Sequence, residues 1–130
     1  MNYNNILPQD KGDIERAKAL FKYRFEDLKP KIKSLLYCLQ DSNWPIAYYV
    51  AEYLKPHGKE MTQEILEILD EDDEILIVYI ILAFMTNIDY RLDEQILIKL
   101  RRFRDFPTKA ESDEELDIIA AEVLLQQEKL

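Results

Sequence analysis

The residue types that do chemistry are sparse in this chain of 130 residues. His57 is its one His and Cys38 its one Cys, so a paired-His or Cys–Cys zinc site cannot form within one chain. A Cys–His pair would need Cys38, beside the apolar stripe of one helix, to meet His57 in a distant loop. The spacing instead favours a buried structural thiol and a solvent-facing loop His. Glycine occurs only at positions 12 and 58, which leaves no Gly-rich loop to cradle a phosphate. Asp70-Glu71-Asp72-Asp73-Glu74 gathers carboxylates as calcium would require, but it lacks the Gly and the distal Glu of an EF-hand loop. It reads as a solvated turn with Asp73 capping the following helix. The remaining carboxylates, out of 26 acidic residues, offer no pair that spacing singles out for acid–base work. No catalytic residue, cofactor or metal ligand is predicted.

Aromatic residues remain. Trp44, next to Pro45 at a predicted helix start, reads as a core residue that fixes how the chain enters that helix; the alternative is an exposed ring at a ligand edge. At 100° per residue, Tyr49 falls opposite the Ala47–Val50–Ala51–Leu54 face, with Tyr48 and Tyr53 on its flanks near Glu52. Two readings stay open. In one, these rings pack on neighbouring helices and on the N-terminal segment. In the other, an aromatic–apolar stripe of Tyr48, Tyr49, Tyr53, Tyr79 and Ile118, rimmed by Glu52 and Glu74, meets a protein or peptide partner.

The elements that position these residues follow from periodicity. Ile32, Leu35, Leu36 and Leu39 share one helical face, as do Ala47, Val50, Ala51 and Leu54. Between them Asp41-Ser42-Asn43-Trp44-Pro45 breaks the pattern: Asn43 suits an N-cap, and Pro45 is tolerated only in a first turn. The result is a helical hairpin, about 29–40 with about 43–55. Shifted by 30 residues, Leu35, Leu36 and Leu39 fall on Ile65, Leu66 and Leu69, Asn43 on Asp73, and Tyr49 on Tyr79. A third copy places Ile96, Leu97 and Leu100 at a shift of 61, and Ser112, Leu116, Ile118, Ile119, Ala120 and Val123 at a shift of 69. The extra 8 residues fall in a predicted loop at 104–109. Self-similarity at this period marks a solenoid, and an α/α unit of this length resembles HEAT repeats.

The prediction is therefore an all-α, short HEAT-like solenoid in one domain, 1–130. An N-terminal helix of about 10–28, capped by Asp10, precedes hairpins at about 29–56, 59–87 and 90–128. Residues 1–9 read as an extended lead-in. Ile75 to Ile81 is β-branched enough for a buried strand, but its length and its match to the preceding repeat favour a helix, apolar all round and central in the stack. The last helix is predicted to start at Ser112 with Glu115 as its capping-box partner.

Composition sets limits. Apolar residues at 48% argue for a folded chain. Seventeen basic against 26 acidic residues give −9, unfavourable for nucleic acid. A lone Cys fits a reducing compartment, Met1 to Asn5 show no signal-peptide pattern, and the longest apolar run, 75–85, is too short to cross a bilayer.

Leu7-Pro8-Gln9-Asp10-Lys11-Gly12-Asp13 and Leu39-Gln40-Asp41-Ser42-Asn43-Trp44-Pro45-Ile46-Ala47 resemble the two signature segments of a small bacterial family, domain of unknown function 5071. The resemblance implies a helical, HEAT-like fold and assigns no chemistry. The function expected is a non-enzymatic, cytoplasmic module binding a protein or peptide. The alternative is an acidic immunity or inhibitor protein that neutralises a basic partner such as a toxin; an enzyme with an unrecognised carboxylate site stands last.

Overall fold

A computed structural model describes residues 3–41 and 43–130. Met1, Asn2 and Ser42, and with them part of the predicted lead-in and of the central break, lie outside the described residues. The protein is all-helical, with 71% of it in helix and no strands among the described residues. The chain divides into two compact units, Met1–Met61 and Thr62–Leu130.

In the first unit, Tyr3–Asn5 is a short 3-10 turn rather than extended chain. Asp10 closes a local turn, its Oδ1 accepting from the Gly12 N–H at 2.9 Å. The cap of α1 (Ile14–Ala19) is instead Asp13, which accepts from Arg16 N. The long helix predicted for 10–28 is interrupted. A 3-10 turn (Leu20–Lys22) follows α1, Tyr23 and Arg24 are extended, and α2 (Phe25–Leu28) begins anew. This break lets Leu20, Phe25 and Leu28 all reach the core, which one straight helix would not do. After a 3-10 turn at Lys29–Lys31 come α3 (Ile32–Tyr37) and α4 (Pro45–Leu54). Pro45 opens α4 as its type requires, but Trp44, not Asn43, is the N-cap, and it makes no side-chain cap bond. Its ψ of 132° is the extended backbone that a following proline imposes. Trp44 is half-buried rather than a core residue. Helix α4 packs on α1 and α3, and a kink at His57 ends the unit within a 3-10 stretch, Lys55–Met61.

The second unit contains α5 (Thr62–Leu69), α6 (Glu74–Phe84), α7 (Glu94–Asp105), α8 (Lys109–Asp113) and α9 (Leu116–Glu128). Asp73 caps α6 and Asp93 caps α7 through side-chain oxygens. The run 75–81 is helix, so the strand alternative is excluded. The predicted loop at 104–109 is shorter than expected, because α7 continues to Asp105 and α8 begins at Lys109. The capping box also moves. Thr108 and Glu111 form it on α8, while Glu115, at φ 59°, is the left-handed N-cap of α9 with no side-chain cap bond. Helix α5 packs on α6 and on α7, and α9 packs on α7, on α6 and on α8.

Candidate functional site

The predicted site residues fall in two groups, one per unit. On α4, Tyr48 is 66% exposed and meets the Tyr49 ring edge-on at 5.2 Å between centroids. Tyr49 is half-buried with Lys18 Nζ 5.3 Å from its ring centre. Glu52 is exposed and pairs with Lys55 at 3.1 Å. Tyr53 takes the packed one of the two readings and is not available to a partner. It is 6% exposed, its hydroxyl donates to the Tyr23 carbonyl at 2.9 Å, and Phe21 abuts its ring edge-on at 5.5 Å. Tyr53 is thus a core residue, pointed inward because α4 lies against the turn at Leu20–Tyr23. Burial, and then the charges of Asp27 and Glu26, raise its pKa.

His57 is packed rather than solvent-facing. Its ring stacks on Phe25 at 4.3 Å and 12°, with Nδ1 3.5 Å from Glu60 Oε2. Nδ1 makes no hydrogen bond at that separation, and the contact is an ion pair only with a charged imidazole. Cys38 follows α3, its thiol 3.7 Å from the Ser34 carbonyl, and burial pushes its pKa up to about 11. Such a thiol is a poor nucleophile.

In the second unit, Glu74 and Tyr79 lie on α6 and Ile118 on α9, two helices that pack on each other. On α6, Leu76, Ile77, Ile80, Ile81 and Phe84 are buried. Ile75, Tyr79 and Leu82 recur at i, i+4 and i+7 on the opposite side. Ile75 is 48% exposed, Leu82 46%, and Tyr79 lies half-buried between them. Helix α9 repeats the arrangement. Leu116, Ala120, Val123 and Leu124 are buried, while Ile118 and Leu125, seven apart, are 59% and 56% exposed. The sequence repeat that equates Tyr79 with Ile118 sets Ile75 against Glu114 and Leu82 against Ala121, so the two exposed sets are not repeat equivalents, although the helices that carry them pack on each other. Leu82 and Leu125 were missed in the sequence, although the seven-residue spacing from Ile75 and from Ile118 could have found them.

The stripe on α6 starts at an acidic cleft of about 510 Å³. Glu71, Asp72, Asp73 and Glu74 line it with Asp113 and Glu114 from the end of α8, and Ile75 and Ala110 complete it. Among the described residues, no group of three His, Cys, Asp or Glu side chains is placed to hold a metal ion. No helix among them is long and apolar enough to cross a membrane.

The family model for a domain of unknown function, 5071, matches residues 6–124. No curated protein matches the chain.

Proposed function

Because the chain belongs to the family of domain of unknown function 5071, whose name carries no activity, we propose a function from its own surfaces: it is a non-enzymatic module that binds a protein or peptide segment. The observation that carries this is the pair of exposed apolar stripes on α6 and α9. Four large aliphatic side chains, each about half exposed, lie on two helices that pack on each other. Scattered exposed apolar residues need no explanation, but an aligned set marks an interaction surface.

Within the second unit, first helices pair with each other (α5 with α7), second helices likewise (α6 with α9), and each with its hairpin partner. That pattern supports reading the chain as a short HEAT-like stack. A single Cys, which cannot form an intrachain disulfide, fits a reducing, cytoplasmic setting. Selecting random peptides displayed on phage against the full chain tests the proposal. Enriched peptides that bind the wild type, and bind Leu82→Lys/Ile118→Lys at least about tenfold more weakly, support it. No enrichment, or equal capture by the double variant, overturns it.

The immunity or inhibitor reading is a second proposal, favoured by one observation: acidic side chains from α8 and from the turn before α6 share one cleft.

A further inference from the structure

The chain's charge of −9 is unevenly distributed. Residues 1–61 carry 10 basic and 8 acidic side chains, net +2, whereas residues 62–130 carry 7 and 18, net −11. Two acidic runs dominate the second figure, 70–74 ahead of α6 and 111–117 around α8. Though far apart in sequence, they meet in the acidic cleft.

Like charges gathered this way repel one another and oppose the compact state. Local structure accounts for part of the cluster. Asp73 caps α6, its Oδ1 accepting from Leu76 N at 3.1 Å, and Glu74 sits in the first turn, where the helix end favours an anion. On the other wall, Asp113 and Glu114 end the short α8 and stand just ahead of the 13-residue α9, whose N-terminal end also favours an anion. Asp113 pairs with the exposed Lys109 at 3.2 Å, and Glu114 has no partner among the described residues.

The cleft is not an isolated feature. Ile75, part of its lining, is also the first residue of the stripe that runs through Tyr79 to Leu82. An apolar face by itself would accept any apolar segment. A face that ends in a cleft walled by carboxylates discriminates, because an acidic segment would be repelled and a cationic one attracted.

From this juxtaposition we infer that the α6–α9 face takes a cationic amphipathic segment of a partner protein. Its Lys or Arg side chains enter the cleft of Glu71–Glu74, Asp113 and Glu114, and its apolar side chains lie along Ile75, Leu82, Ile118 and Leu125. This rests on the binding reading above and adds the partner's chemistry. A cation in the cleft is attracted and at the same time relieves the repulsion among the carboxylates.

The test uses the full chain and three labelled synthetic peptides of one length: a Leu/Lys amphipathic helix, the same helix with Glu for Lys, and one with Ser for Leu. Fluorescence anisotropy reads binding at low and at physiological salt. The Leu/Lys peptide binds, loses affinity as salt rises, and binds Asp72→Lys/Glu114→Lys at least about tenfold more weakly. It binds a control of equal net charge, Lys substituted at Asp10 and Glu15 in the first unit, as it binds the wild type. Near-equal binding of the Leu/Lys and Leu/Glu peptides overturns the inference while leaving the binding reading intact. So does undiminished binding of the Lys/Ser peptide, or equal weakening in the control, since either would mean bulk charge attraction. Failure of all three peptides overturns the inference, and the binding reading with it if peptide selection also fails.

Discussion

Replacing Glu111 by Gln tests whether one ion pair fixes the connection that carries the acidic cleft. Arg102, on α7, reaches Glu111 through both guanidinium nitrogens at 2.7 Å each. The same carboxylate accepts from the Thr108 N–H at 2.8 Å, while the Glu111 N–H donates to Thr108 Oγ1 at 3.2 Å. The Glu111 side chain is 8% exposed and that of Arg102 41%. Removing one partner of a fully buried pair costs about 3–5 kcal/mol, and an exposed pair is worth about 1 kcal/mol or less. Water reaching Arg102 screens this pair, so Glu111→Gln is expected to cost about 1.5–2.5 kcal/mol, between those limits. The pH dependence gives a sharper check. The Arg102 guanidinium holds the Glu111 carboxyl below its ordinary value of 4.5, against the opposing effect of burial. A depressed carboxylate pKa adds stability that is present in full above the unfolded-state value and is lost as pH falls through the folded-state value. Urea midpoints of wild type and variant should therefore differ by a constant amount from neutral pH down to the ordinary carboxylate range, and converge below it. Equal midpoints at neutral pH, or a gap that persists in acid, would refute this account of the pair.

Two further outcomes follow from single residues. Alkylation of Cys38 by iodoacetamide at mildly alkaline pH, followed by mass spectrometry, should run far more slowly than for an unfolded control, because burial pushes the thiol up to about 11; equal rates would show the thiol to be open. Glu115→Gly should raise the unfolding free energy by about 0.5–1 kcal/mol, read from urea denaturation, since φ 59° strains a residue with a Cβ, while Glu115→Ala, which keeps the Cβ, gives no such gain.

Helix positions were legible where apolar spacing and a capping carboxylate agreed. Asp73 before α6 is the clear case, since its side chain had one helix start to serve. Caps failed where two candidates stood close together. Asp10 and Asp13 are equally good in type, and Ser112 with Glu115 matches a capping box as well as Thr108 with Glu111 does. The choice is made by tertiary packing: Arg102 claims Glu111, and so the box forms on α8. The interruption between α1 and α2 left no sequence signal, because Tyr23 and Arg24 are ordinary helix residues and only the core's demand for Leu20, Phe25 and Leu28 turns the chain there. Tyr53 was left between two readings for a related reason. Helical angles place it on the flank of α4, yet a flank is buried when a neighbouring turn covers it and offers the Tyr23 carbonyl as an acceptor.

Helix α6 bears most directly on function. Its sequence is apolar on every side, and such a helix ordinarily belongs in the middle of a packed structure. That inference assumes that every apolar face is covered by the chain itself. Here Leu76, Ile77, Ile80, Ile81 and Phe84 are covered, and Ile75 and Leu82 remain about half exposed. An all-round apolar helix therefore has two physical meanings, a fully enclosed helix or one that keeps a face for another molecule, and composition alone cannot separate them. Our proposal of the second meaning rests on the charges around it. A fully enclosed helix has no use for a ring of carboxylates at its N-terminal end beyond the one that caps it. Asp72, Asp113 and Glu114 exceed that need, and they lie where the open face begins.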